Sequence, residues 1–376
     1  MKKLIPALIG LLVIILFSIQ YSQAKNETME VTNLKNKQLY TFEKENNFYV
    51  YNEVVVGGIG DILLHDRVYD EVHIGNGKYD FSERFSRVKD ILQGPDFLIA
   101  NQESVPGGVE LGLSTYPSFN SPQDIIDTLM DSGVDMVTTA NNHTLDRGEK
   151  AILSAIDYYE KVDLPYTGSY KSPEDKADIR VFEINDVSFA VLAYAEHFNG
   201  IPIPQGKEYL VSPLVPEQVE KDIDLAKEQA DFVILALHWG DEYIRQPNQN
   251  QRNLADRFIT YGADVIIGHH PHVLQPMQWI DKPDGGKGLV IYSLGNFYSG
   301  QIRDYKDVGG MVEFTLFKEG SGKNSELGIK DVKLHPTFVH TQNWSNFTLY
   351  PLEDAEEKGL TNYSSKAIQE FFKEVK

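Results

Sequence analysis

The chain has 376 residues, 41% of them hydrophobic, which supplies enough apolar matter for one large domain or two ordinary ones. Asp and Glu outnumber Lys and Arg by 55 to 35, a formal charge of −20, which argues against a nucleic-acid partner, because such proteins present a basic face. No cysteine is present, which excludes disulfides, thiolate zinc sites and acylation through a cysteine, so any metal must be held by His, Asp, Glu or Asn.

Lys2 and Lys3 precede a largely apolar run from Leu4 to Ile19, and Ser22-Gln23-Ala24 follows with small residues at the spacing a signal peptidase needs. Residues 1–24 therefore read as a signal peptide or a retained membrane anchor. The positive start directs the remainder outward, so the expected location is extracytoplasmic, either secreted or membrane-anchored. Residues 25–47 are polar and without clear periodicity and read as a spacer. Residues 48–376 read as one domain, since no repeat and no convincing internal linker divides them.

From there strands and helices alternate, which predicts an α/β fold. The Val-rich stretch Tyr51 to Ile59 is the first core strand and ends in Gly60-Asp61. Phe81 to Leu92 reads as a helix, and Asp96 to Ala100 as a short strand ending at Asn101-Gln102-Glu103. Ser121-Pro122 with Asp124 behind it predicts a capped helix through Met130. Val134 to Thr139 is a strand ending at Asn141-Asn142-His143, and Glu149 to Tyr159 carries Ile152, Leu153, Ile156 and Tyr159 on one helical face. Val181 to Ile184 and Val187 to Tyr194 flank Asn185-Asp186 as a hairpin does. An amphipathic helix over Pro216 to Ala230 leads to the strand Phe232 to Leu237, which ends at His238-Trp239-Gly240. A helix over Asn250 to Tyr261 precedes the apolar run Val265-Ile266-Ile267, which stops at Gly268 before His269-His270-Pro271-His272. The carboxyl part is β-rich, with strands at Gly310 to Phe317 and Leu327 to Val339, and closes on a helix near Ser364 to Lys373.

Five of these strands thus end in Asp61, Glu103, Asn142-His143, His238 and His269 to His272. Each cluster has an ordinary explanation by itself: a helix cap, a surface acid, a core histidine, a histidine-rich loop. Sites in alternating β/α folds gather beyond the carboxyl ends of strands, and the five together bring nitrogen and oxygen ligands from separate strands, as a two-metal hydrolytic centre requires. Within the last cluster, proline pushes the preceding residue toward an extended backbone. Extended chain puts His270 and His272 on one side and His269 on the other, favouring the first two as ligands. Asn296, in Ser293-Leu-Gly-Asn-Phe297, reads as a turn residue.

The ordered blocks Gly60-Asp61-Ile-Leu-Leu, Asn101-Gln-Glu103, Asn141-Asn-His-Thr-Leu-Asp-Arg-Gly148, His238-Trp-Gly-Asp-Glu-Tyr243, Gly262 to His272 and Ser293 to Phe297 resemble the CapA family of poly-γ-glutamate capsule synthesis proteins over roughly residues 50 to 300. That family is similar in turn to calcineurin-like metallophosphoesterases. The resemblance implies a four-layer α/β/β/α sandwich, a membrane-associated extracytoplasmic protein, and hydrolase activity at a site with two divalent ions such as Mn, Zn or Fe. It implies Asp61 as the first metal ligand, Glu103 as a bridging carboxylate where the superfamily has aspartate, and Asn142 and His238 as further ligands. The Gly-His start of the superfamily motif would put His269 in the shell as the alternative to His270, against the pair His270 and His272 that the backbone favours. The usual histidine two residues beyond Asp61 is absent, that place being Leu63, and His65 has the wrong spacing. The resemblance also implies His143 as general acid, with Asp146 orienting its imidazole. Arg67 and Arg147 lie beside these blocks as candidates to hold an anionic substrate, against the plainer reading of solvated salt bridges. Implied partners are the membrane, capsule-synthesis membrane proteins and poly-γ-glutamate. The alternative is a non-catalytic accessory subunit that binds polymer, although a chain of charge −20 repels polyglutamate.

Overall fold

The computed structural model describes residues 40–44, 47–320 and 325–373, so the expected leader and most of the spacer lie outside the described residues. The described residues fall into two compact units, residues 40–44 and 47–51 with Gly320, and residues 52–319 with 325–373. In the first unit Tyr40–Lys44 pairs antiparallel with the residues from Asn47 to Tyr51. The second unit carries all the candidate site residues.

Two sheets organise that unit. One is built on the parallel strands β1 (Asn47–Leu63), β2 (Phe97–Gln102) and β3 (Met136–Thr138) and is widened by Val308–Gly320, Glu326–Gln342 and Ser345–Pro351. The other has β4 (Val187–Ala195), β5 (Phe232–His238), β6 (Val265–His269) and β7 (Lys287–Leu294) in parallel, with antiparallel Arg180–Ile184 and Leu274–Asp281 at its edges.

Side chains alternate across each sheet with period two, and this sorts the core into three slabs. Phe97 and Ile99 of β2 and Phe232 and Ile234 of β5 face one another between the sheets. Leu98 and Ala100 point the other way, onto helices α1 (Asp124–Ser132) and α2 (Gly148–Lys161), meeting Ile125, Leu129, Ile152 and Ile156. Val233 and Leu235 pack under α3 (Pro216–Lys227) and α4 (Gln249–Tyr261), against Val219, Ile223 and Phe258. Helices, sheet, sheet, helices: this is the four-layer α/β/β/α sandwich. Each fully buried aliphatic or aromatic side chain contributes about 1.5–3 kcal/mol to holding these layers together.

Local chemistry explains where the elements depart from expectation. The hairpin at Asn185-Asp186 forms as predicted, both residues having the positive φ that a tight primed turn needs. Phe81 to Leu92 is instead two short helices, Ser82–Phe85 and Lys89–Leu92, because the Ser86 hydroxyl donates to the Glu83 carbonyl and competes with the helical ladder. Ser121 does not cap α1; its hydroxyl donates to the carbonyls of Ser104 and Val105, and the helix begins at Asp124. The strands Leu274–Asp281, Lys287–Leu294 and Ser345–Pro351 are additions that the sequence pattern does not predict. Among the described residues no helix is long and apolar enough to cross a membrane.

Candidate metal centre

The strand ends do converge. Asp61 lies near the end of β1 and is in register with Asn101 of β2, while His238 closes β5 in register with His269 at the end of β6. Two glycines allow the approach. A Cβ at Gly60 would sit 2.1 Å from the Gly295 carbonyl oxygen, and one at Gly268 2.0 Å from that of Tyr292. With no side chain at Gly60, the Asp61 amide donates to Gly295 at 2.8 Å, which fixes where the carboxylate points.

Around Glu103 the ligand atoms gather. Its Oε1 is 3.6 Å from His238 Nε2 and 3.7 Å from His272 Nε2. His238 Nε2 is in turn 2.9 Å from Asn142 Oδ1 and 3.1 Å from His270 Nδ1. Asp61 Oδ2 lies 3.3 Å from His272 Nδ1, and its Oδ1 3.2 Å from His269 Nδ1. The side chains fall into two groups that share Glu103, one with His238 and His270 and one with Asp61 and His272, the ligand atoms of each lying within 4.8 Å of one another. Glu103 is fully buried with neither carboxylate oxygen hydrogen-bonded, and His238 Nδ1 is also without a partner. A buried carboxyl group without a hydrogen bond is costly, and a cation held among these nitrogen and oxygen atoms would satisfy it. The donor set, carboxylate, carbonyl and imidazole, suits divalent ions such as Zn, Mn or Fe.

The titratable groups of the cluster are pushed in opposite directions. Burial alone would raise the Asp61 carboxyl, but His269 and His272 beside it hold it well below the usual carboxylate range. Burial pushes Glu103 well above its ordinary value, against the pull of His272. Burial and the neighbouring His270 push His238 well down, and burial with His272 brings His270 to about 3, so both rings are neutral and able to ligate. Burial would lower His272 too, yet Glu103 and Asp61 lift it to about 9.

Beside this cluster His143 Nδ1 stands 2.7 Å from Asp146 Oδ2. The same oxygen accepts from the Phe119 amide at 2.7 Å, and the Phe119 ring meets the imidazole edge-on, 4.7 Å between centroids. The Asn141 side chain accepts from the His143 amide and donates to the Gln102 carbonyl, tying the loop to the end of β2.

A family model described as bacterial capsule synthesis protein PGA_cap matches residues 56–301, more than half of the chain. The chain belongs to this family. Capsule biosynthesis protein CapA of Bacillus anthracis is 28% identical over 272 residues, covering 70% of this chain and 64% of that protein. PGA biosynthesis protein CapA of Bacillus subtilis is 28% identical over 274 residues, covering 70% and 68%. Among solved structures, the NAD nucleotidase of Haemophilus influenzae aligns with a TM-score of 0.48 and 12% identity over 79% of this chain and 53% of that one. The chain thus spans less than two thirds of the Bacillus anthracis relative and about half of the nucleotidase.

In this CapA-like chain the histidine turn is not the extended segment that Pro271 suggests. His270 has φ 95° and His272 φ 58°. Proline excludes the helical backbone before it, but the alternative taken is a left-handed turn, whose Pro271 carbonyl accepts from the Tyr243 amide at 2.7 Å. His270 and His272 still reach the two groups, while His269 turns to Asp61. The candidate substrate arginines stand apart. Arg147 is spent on the carbonyls of Leu111 and Gly112 and the Ser114 hydroxyl, and Arg67 lies over the Trp344 ring at 5.1 Å. His65 is buried against Phe119 and belongs to neither group.

Several residues of the centre do not announce themselves in the sequence. Asn296 is fully buried rather than an exposed turn residue, and its Oδ1 is 3.0 Å from His272 Nδ1. Asn101 donates to Asp61 Oδ1 at 2.8 Å. Asn199, on the loop after β4, reaches both Asn142 and His143 at 3.4 Å. A signal for Asn296 and Asn101 does exist: both sit inside blocks at strand ends, where a buried amide must find polar partners.

Proposed function

We propose that this chain is a metal-dependent hydrolase of phosphoesterase type, acting outside the cell membrane in the synthesis or export of capsular poly-γ-glutamate. The observation that carries the reading is buried Glu103, with neither oxygen hydrogen-bonded, shared by the two groups of ligand-capable side chains. Asp61, Glu103 and His272 would hold one divalent ion, and Glu103, Asn142, His238 and His270 a second. When bound, such ions supply Lewis acidity toward a phosphoryl oxygen and lower the pKa of a coordinated water.

The protein's own part is proton handling and exclusion of water. Asp146 accepts from His143 Nδ1 and orients the ring; the acid role belongs to the imidazolium, in which Nδ1–H faces Asp146 and Nε2–H is the proton to be transferred. As water adds to phosphorus, giving up one proton to solvent, the ester P–O bond breaks and Nε2 gives its proton to the departing oxygen. Phe119 holds Asp146 through its amide and shields the pair with its ring. The test is hydrolysis of a chromogenic phosphodiester and monoester by purified protein with Mn²⁺, Zn²⁺ or Fe²⁺. Turnover that falls about 10²–10⁴-fold in His143→Ala supports the role of His143 as acid; no turnover of either ester class with any of the three ions counts against it.

A second reading, a membrane-tethered accessory subunit without catalysis, is favoured by Arg147, whose guanidinium is committed to carbonyls instead of an anionic substrate. Full restoration of capsule by His143→Ala in a deletion strain would favour that reading.

A further inference from the structure

Beyond the two buried groups, a third set of ligand-capable side chains lies at the mouth of the centre. It comprises Glu242, His270 and His272, with one ligand atom from each inside a 4.8 Å span. Glu242 is exposed, whereas both histidines are buried. The two histidines belong one to each of the buried groups, so Glu242 is an exposed carboxylate within reach of both.

The backbone holds it there. Glu242 follows Gly240, whose φ is 88°, and precedes Tyr243, whose φ is 66°. The left-handed region is unfavourable for an aromatic residue, and non-glycine residues held in it mark places where the surroundings over-determine the conformation, often for function. Here the constraint is visible. The Tyr243 amide donates to Pro271 at 2.7 Å, in the middle of the histidine turn, where His270 and His272 are themselves left-handed. The Tyr243 ring lies 5.9 Å from that of His272, and its hydroxyl accepts from Gln301, which in turn accepts from Asn296. The segment carrying Glu242 and the turn carrying the two histidines are thus pinned to each other at the backbone. Neighbouring Asp241 faces elsewhere, accepting from the Asn248 side chain at 2.8 Å.

We propose that Glu242 is a further metal-coordinating carboxylate, closing the solvent face of the centre as Glu103 closes its buried face. The inference rests on the metal reading above and adds to it a ligand from an exposed loop. Because the side chain is solvent-exposed, it can exchange between the ion and water, retaining metal when no substrate is bound.

The test is metal affinity. The full chain, solubilised in detergent and stripped of metal, is titrated with Zn²⁺ or Mn²⁺ in competition with a fluorescent chelator, for wild type, Glu242→Gln and Asp241→Asn. The expected result is an affinity at least about tenfold weaker for Glu242→Gln, with thermal stability of the metal-free form unchanged and Asp241→Asn matching wild type. Affinity within twofold of wild type for Glu242→Gln overturns the proposal. Equal losses in both variants, abolished by high salt, also overturn it, since they would mark a screened field effect and not a ligand. Absence of binding by wild type defeats the metal reading itself.

Discussion

Glu103 is shared by the two groups of side chains, and the residues behind those groups decide how well an ion would be held. With Nδ1 protonated, His272 donates to Asn296 and leaves Nε2 facing Glu103. Partners of this kind orient a ligating imidazole, and their loss costs about 10–100-fold in metal affinity. Asn296→Ala should therefore weaken metal binding by that factor while Asn296→Asp keeps most of it; equal affinity in wild type and Asn296→Ala would deny the asparagine any part in holding the ligand. His65 makes a different prediction. Burial and the nearby Arg67 bring its pKa from 6.5 to about 4. The unfolded chain takes up the proton first as pH falls, so stability drops between pH 6.5 and 4, by about 1.4 kcal/mol per pH unit from this group at most. His65→Gln should flatten the dependence of unfolding free energy on pH across that window, and an unchanged slope would contradict the burial argument. At this scale the sequence is legible in which polar residues end the strands, and Asp61, Glu103, Asn142, His143, His238, His270 and His272 do stand together. It is not legible where a role depends on what lies across the fold, as for Asn296 behind His272 and Glu242 above it.

At the scale of elements, the alternation of strand and helix is readable because apolar runs such as Val265 to Ile267 stop at glycine and then turn polar. The turns are harder, since proline at 271 forbids one backbone conformation without choosing among the rest. Gly268 shows why the approach of β6 and β7 demands glycine. A Cβ there would lie 2.0 Å from the Tyr292 carbonyl oxygen and 2.7 Å from Trp239 Nε1, which itself donates to that carbonyl. Gly268→Ala should lower stability by about 1–3 kcal/mol through overpacking, read as a lower guanidinium midpoint at unchanged slope. A midpoint equal to wild type would show that the strands separate without cost. The edge strands Leu274–Asp281 and Ser345–Pro351 escape a sequence reading because polar residues interrupt their apolar pattern.

For the molecule as a whole, two sheets with helices on both outer faces deliver five strand ends to one place, and the family match covers the same span, residues 56–301. Composition sets the frame: without cysteine, a metal here must be held by oxygen and imidazole ligands. Everything proposed for this chain depends on that centre being a divalent-metal site. The decisive measurement is elemental analysis of protein purified under metal-replete conditions, comparing wild type with Asp61→Ala and His238→Ala. About two ions per wild-type chain are expected, as a two-metal site requires, with loss of bound metal in each variant and the fold retained. Wild-type protein that is folded and carries no stoichiometric metal would contradict the metal site.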